Sequence, residues 1–232
     1  MDIINTLTEK SLAKYFDHTF LKAYATRADF EKLCKEAREL GTAMVAINSA
    51  QVCVCKELLK GCDVHVGAAI SFPLGQTVLE IKVEETKKAI QDGADEIDYV
   101  INIGEAKMGH WDYIEEEMRQ ITEICRAHKV ISKVIFENCY LTDQEKEALC
   151  RIALEVRPDF IKTSTGFGSG GATAADIMLM KRMVGDAVKI KAAGGIRTLD
   201  TALEMIGMGV SRIGSKASVS IVEELKARQR GS

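Results

Sequence analysis

Eight short runs rich in apolar and β-branched residues recur along this 232-residue chain, and charged stretches with helical periodicity lie between them. That alternation constrains the fold more than any other feature. The strand candidates fall at residues 15–20, 43–48, 64–71, 96–101, 131–137, 160–163, 189–192 and 212–214. Helical spacing marks residues 29–40, 79–92, 113–128, 143–155, 174–184 and 198–207, as in the recurrence of Leu33, Ala37 and Leu40. Thr142 and Asp143 ahead of Glu145, and Thr198 ahead of the next stretch, are suitable helix starts. Gly41, Gly93, Gly185 and Gly209 follow helical stretches, where a left-handed cap suits glycine. Strict β–α alternation predicts a parallel sheet with helical crossovers. Eight such units in about 230 residues suit a closed (β/α)8 TIM barrel, with a doubly wound open sheet as the alternative. No low-complexity linker or composition break divides the chain, so residues 1–232 read as one α/β domain. The final Gly231-Ser232 reads as a candidate cloning remnant.

A formal net charge of −3 argues against a broad nucleic-acid surface and leaves room for a small basic pocket for a phosphate. Met1-Asp2-Ile3-Ile4-Asn5 lacks the basic segment and apolar run of a signal peptide. No apolar run is long enough to predict a membrane span. Seven scattered cysteines, an odd number, predict reduced thiols and a cytoplasmic setting. Cys53 and Cys55 form the one close pair; with His65 as the sole nearby partner they fall short of a metal ligand set, so no metal is expected.

Strands buried on both faces are normally apolar, yet several here carry charge. Asp17 stands in the first, Asp98 in the fourth, Lys133 and Glu137 in the fifth, Lys162 in the sixth and Lys191 in the seventh. Charged side chains are almost never fully buried unless paired. A purely stabilising internal ion-pair network is one reading. The other is an active site, because barrel active sites sit where the strands end. A free lysine has a pKa of about 10.4, so only about 1 in 2,500 is neutral near pH 7, and only the neutral amine attacks a carbonyl. A second ammonium nearby, with partial desolvation, lowers that pKa. Lys162 and Lys191 lie on consecutive predicted strands, so one can act as nucleophile while the other tunes it, with aspartates moving protons. The set suits Schiff-base chemistry on an aldehyde or ketone. Glycine-rich turns containing Gly166, Gly194, Gly195 and Gly214 follow the sixth, seventh and eighth strands, where barrels commonly bind phosphate.

These residues also carry a resemblance. Asp17-His18-Thr19, Phe72-Pro73-Leu74-Gly75, the segment from Glu96 to Gly104, Lys133-Val134-Ile135-Phe136-Glu137, Lys162-Thr163-Ser164-Thr165-Gly166, the segment from Lys191 to Thr198, and Arg212-Ile213-Gly214-Ser215 resemble, in order, the deoxyribose-phosphate aldolase family. The resemblance covers nearly the whole chain. It implies a metal-free, cofactor-free class I aldolase that cleaves 2-deoxy-D-ribose 5-phosphate reversibly to acetaldehyde and D-glyceraldehyde 3-phosphate. Its small-molecule partners would be a sugar phosphate and aldehydes. Carried over by motif, Lys162 is the Schiff-base nucleophile, Lys191 lowers its pKa, and Asp98 is the general acid/base, acting through a water. Asp17 orients Lys191, Thr19 contacts a substrate hydroxyl, and the backbones of Gly166, Gly194, Gly195 and Ser215 hold the phosphate. Barrels of this type often dimerise, so a homodimer is an expected assembly, although no interface is legible. The rival readings are an aldolase or transaldolase-like lyase for another carbonyl compound, a phosphate-binding isomerase, and a non-catalytic sugar-phosphate-binding module.

The remaining polar and aromatic residues carry quieter expectations. His65, His110 and His128 read as surface or core residues, and His18 as a residue that shapes the barrel mouth. Trp111 and Tyr113 read as packing residues, and Glu137 with Lys133 either as a supporting ion pair near Lys162 or as residues with a direct role.

The chain departs from the family pattern in three places. Lys22 is followed by Ala23 rather than proline, and Lys216 stands where the last glycine turn usually carries serine. Lys216 either adds a cation to the phosphate site, points outward, or marks a changed substrate. In the second strand Ala46 occupies a position that is usually cysteine, so no thiol there can trap reactive aldehydes. Ala46→Cys should therefore be inactivated by crotonaldehyde or acetaldehyde faster than the unaltered protein; equal inactivation half-lives would remove this expectation.

Overall fold

The computed structural model describes residues 6–230. The Gly231-Ser232 tail and residues 1–5, on which the absence of a leader was read, lie outside the described residues. Eight parallel strands close on themselves in sequence order. They are β1 (Phe16–Thr19), β2 (Met44–Asn48), β3 (His65–Ile70), β4 (Glu96–Val100), β5 (Ile131–Ile135), β6 (Phe160–Lys162), β7 (Lys189–Ala193) and β8 (Arg212–Ser215). The barrel is sealed where Phe16 and Asp17 of β1 pair with Ile213 and Gly214 of β8. The open-sheet alternative is thereby excluded.

The helices are α1 (Glu9–Ala13), α2 (Arg27–Leu40), α3 (Val52–Leu58), α4 (Leu79–Gln91), α5 (Ile103–Lys107), α6 (Trp111–Ala127), α7 (Asp143–Val156), α8 (Ala174–Val184), α9 (Leu199–Gly207) and α10 (Ser218–Arg230). The helix starts form as the sequence suggests. Thr142 and Glu145 close a reciprocal capping box on α7, and the Thr198 side chain accepts from the Thr201 amide at the start of α9. Helix α2 ends on Gly41, whose φ of 70° is the left-handed cap glycine favours.

Alternate residues of each strand serve two different environments. One set, including Val45, Ile47, Val66, Ile70, Ile97, Tyr99, Val134, Ile161, Ile190 and Ile213, joins a continuous apolar core between barrel and helices. Trp111 and Tyr113 pack against that core, as expected of them. Each large apolar side chain buried there contributes about 1.5–3 kcal/mol relative to exposure. The other set faces the lumen. Lys191 of β7 reaches Asp98 of β4, and Arg212 of β8 reaches Glu96 of β4. Strands that are not neighbours can exchange such bonds only through the barrel interior.

Long lumenal side chains fit because their neighbours are small. A Cβ on Gly67 would collide with the Met44 side chain, whose Sδ lies 3.4 Å from Lys133 Nζ. A Cβ on Gly214 would lie 3.3 Å from Lys191 Cε. The helix-supported sheet thus spends its apolar energy outside the barrel and leaves the interior for charge.

Candidate active site

Asp98 is the hub of the lumen. Its Oδ2 lies 2.8 Å from Lys162 Nζ and 2.6 Å from Lys191 Nζ, and its Oδ1 lies 2.8 Å from Lys133 Nζ. Lys191 also pairs with Asp17, and Lys133 with Glu96. Arg212 closes the network: its Nε donates to Asp17 Oδ1 at 2.7 Å, and Nη2 to both Glu96 oxygens at 2.8 Å. Asp17, Glu96, Lys133 and Lys191 are wholly buried, and Lys162 is 4% exposed.

The sign of this cluster matters. Four cations (Lys133, Lys162, Lys191, Arg212) face three carboxylates (Asp17, Glu96, Asp98), which leaves one positive charge in excess. Discharging a single lysine balances the set. Lys162 is the lysine with one carboxylate contact, whereas Lys133 and Lys191 each have two.

Burial pushes the Lys162 ammonium down to about 8, with Lys191 and Lys133 adding to the shift and Asp98 opposing it. Roughly one amine in ten is then neutral at pH 7, a gain of more than a hundredfold over a free lysine. Burial is the leading cause, ahead of the neighbouring ammonium groups. Burial would lower Lys133 too, but Asp98 and Glu96 hold it above the ordinary lysine range. Burial would raise Asp98, but the three lysines hold it well below the ordinary carboxylate range.

At the C-terminal end of the barrel the glycine turns converge. Gly166, Gly194 and Gly195 adopt φ of 85°, 83° and 82°, a region that side chains rarely enter. A Cβ on Gly194 would stand 2.9 Å from Gly171 Cα and 3.6 Å from Gly166 Cα, so three backbone segments meet there. Among the described residues, the amides of Gly166, Gly194 and Gly195 donate to no protein acceptor. The Ser215 hydroxyl is committed to the backbone: it donates to Ile196 O at 2.7 Å and accepts from Ala217 N at 3.0 Å. Lys216 is exposed, and Thr19 Oγ1 donates to Asp17 O at 2.8 Å. A cleft of about 480 Å³ opens on the β3–β6 side of the mouth, lined by residues including Leu74, Ile103, Glu137, Tyr140, Thr165 and Phe167.

The structure brings Asp17, Asp98, Lys162 and Lys191 into one contiguous group. It places Asp98 in direct contact with both lysines. Gly166 and Gly194 share a second group beside it. Two lumenal residues went unassigned in the sequence. Glu96 precedes Asp98 by two residues, and Arg212 precedes Gly214 by two; strand alternation was the signal for both.

The expected Lys133–Glu137 pair is a correction. Lys133 turns to Glu96 and Asp98, while Glu137 accepts from the Thr165 amide at 3.1 Å and from the Thr165 hydroxyl. Strand β5 ends at Ile135, so Glu137 does not continue the lumenal face. His18 lies on the opposite face of β1 from the lumen, joining Ser218 of α10 at 2.5 Å to Glu36 of α2 at 2.9 Å. His65 meets Glu96 at 2.8 Å from the opposite end of the barrel.

A buried lysine whose ammonium form is disfavoured by burial, inside a (β/α)8 barrel and bonded to a carboxylate, is the arrangement that suits a barrel enzyme acting on carbonyl compounds. A family profile described as DeoC/LacD family aldolase matches residues 11–215. The chain is 51% identical to the deoxyribose-phosphate aldolase of Bacteroides thetaiotaomicron, over 99% of this chain and 97% of that one. It is 54% identical to the deoxyribose-phosphate aldolase of Lactobacillus acidophilus, over 96% and 94% of the two chains. The solved structure of the Aeropyrum pernix deoxyribose phosphate aldolase, described as a unique tetramer, superposes with a TM-score of 0.89 at 26% identity, covering 95% of this chain and 93% of that one. The chain belongs to the DeoC/LacD aldolase family.

The charge balance gives a prediction. Lys191→Met leaves three cations against three carboxylates, so Lys162 has less reason to lose its proton. The acid limb of the activity–pH profile, expected near pH 8 from Lys162, should move up by about one unit or more. An unmoved limb with lower activity would show that Lys191 does not tune the amine.

Proposed function

We propose that the chain catalyses the reversible cleavage of 2-deoxy-D-ribose 5-phosphate to acetaldehyde and D-glyceraldehyde 3-phosphate through a Schiff base on Lys162. The observation that carries this reading is the Lys162 amine, lowered to about 8 and bonded to Asp98. The activity for which its relatives from Bacteroides thetaiotaomicron and Lactobacillus acidophilus are named supports the choice of substrate.

In this scheme the neutral Lys162 amine attacks C1 of the open-chain sugar. Protons pass between the carbinolamine and the Asp98–Lys191 pair until water leaves and the iminium forms. Loss of the C3 hydroxyl proton then breaks the C2–C3 bond. Its electron pair flows into the iminium as an enamine, and glyceraldehyde 3-phosphate departs. Protonation at C2 and hydrolysis release acetaldehyde and restore the amine. Asp17, bonded to Lys191, keeps that ammonium aimed at the reacting centre. Thr19 stands at the end of β1 to meet a sugar hydroxyl.

The unclaimed amides of Gly166, Gly194 and Gly195 suit the phosphate oxygens. Ser215 shapes the neighbouring turn and Lys216 adds a cation at its rim. The seven free cysteines support a reducing, cytoplasmic setting. No described helix is long and apolar enough to cross a membrane.

Acetaldehyde followed by borohydride should leave a reduced ethyl adduct on Lys162, found by mass spectrometry and missing from Lys162→Ala. Absence of a Lys162 adduct in the unaltered protein would overturn the mechanism.

A further inference from the structure

Glu137 has an environment that neither the charge network nor the proposed chemistry explains. It stands two residues beyond the end of β5 and takes a left-handed backbone conformation, φ 57°, that non-glycine residues seldom adopt. Glu137 is 1% exposed and, among the described residues, has no cation at ion-pair distance; Lys162 acts on it only at longer range. A buried carboxylate without a paired cation is costly unless its oxygens are otherwise satisfied. Backbone strain of this kind tends to persist at functional sites.

Both oxygens of Glu137 accept from Thr165, and the Cys139 thiol reaches Oε1 as well, at 3.9 Å. Oε1 accepts from the Thr165 amide at 3.1 Å, and Oε2 accepts from the Thr165 hydroxyl. That hydroxyl in turn accepts from the Phe167 amide at 3.0 Å. The bonds therefore clamp both sides of Gly166. The loop also lies against Glu137 further on: a Cβ on Gly168 would stand 3.2 Å from Glu137 Cδ and 2.8 Å from Cys139 Sγ. Phe167 is steadied from the other side by an edge-on contact with Phe72, at 5.5 Å between ring centroids. The clamped Gly166 backbone faces Gly194, where a Cβ would lie 3.6 Å from Gly166 Cα.

We propose that Glu137 is a positioning residue for anion recognition: through Thr165 it holds the Gly166 amide in register with those of Gly194 and Gly195, so that the three converge on the substrate's phosphate. This rests on the proposed reading of that glycine cluster as the phosphate cradle. Glu137 acts on the end of the substrate remote from Lys162. Its loss should therefore weaken phosphate recognition while sparing amine chemistry.

The test compares Glu137→Ala, Glu137→Gln and Thr165→Val with the unaltered protein. The substrates are 2-deoxyribose 5-phosphate and unphosphorylated 2-deoxyribose, with inorganic phosphate as competitive inhibitor. Glu137→Ala should raise the KM for the phosphorylated sugar and the inhibition constant of phosphate about tenfold, the value of one well-placed hydrogen bond to a charged group. Borohydride trapping of acetaldehyde on Lys162, and kcat/KM for the unphosphorylated sugar, should stay within about twofold. Thr165→Val, which removes only the hydroxyl link, should show the same split to a lesser degree and keeps the test open should Glu137→Ala fold poorly. Glu137→Gln, which retains an acceptor for the Thr165 amide, should fall between. Equal losses on both sugars would overturn the positioning role. Failure of phosphate to compete against the unaltered protein would instead overturn the cradle reading, and the Glu137 proposal with it.

Discussion

Through one oxygen Asp98 meets Lys133, and through the other both Lys162 and Lys191. Three amines this close would repel one another strongly in so buried a site. The carboxylate makes their burial tolerable, and the fold supplies the remaining compensation from Asp17 and Glu96. Compensation stops one charge short. Because Lys162 has a single carboxylate contact and lies fully within the buried set, the shortfall falls on it. The reactivity of the amine is therefore a property of the whole cluster.

The scaffold and the site depend on each other through the two faces of the same strands. Outward residues such as Ile97, Val134 and Ile161 hold the sheet to its helices. Inward residues at even offset carry the charge. Small residues decide what the lumen can hold: Gly67 leaves space for Met44, which backs Lys133, and Gly214 leaves space for Lys191. A larger residue at either position would disturb the charged cluster before it disturbed the apolar core. The loop layer repeats this division. Its glycines bring backbone amides together at the mouth, while Glu137 and Thr165 fix the turn on which Gly166 rides.

Much of the architecture was legible in the chain, because eight strands buried on both faces leave eight short apolar runs. The long helices were legible for the same kind of reason. Short ones such as α3 and α5 contain too few turns to display a period. In the site, Asp17, Asp98, Lys162 and Lys191 stood out as charges in strands that should be apolar. Their pairing did not, because contacts such as Lys191–Asp98 cross the barrel between strands far apart in sequence. Glu96 and Arg212 share faces with residues already singled out, so alternation alone could have added them. The partner of Glu137 was not legible, because β5 ends two residues earlier, at Ile135, and Glu137 itself turns left-handed away from the lumenal face. The convergence of Gly166, Gly171 and Gly194 likewise depends on loop conformations that no periodicity reports.

Before any substrate arrives, the lumen discharges Lys162 more readily than Lys133. Nitrogen-detected NMR titration of the lysine amines in the ligand-free protein tests it, with Lys162→Met used to assign the resonance. One amine, lost in that variant, should titrate with a midpoint near 8, while Lys133 stays charged throughout the accessible range. A Lys162 midpoint at or above the free-lysine value of about 10.4 would contradict the account.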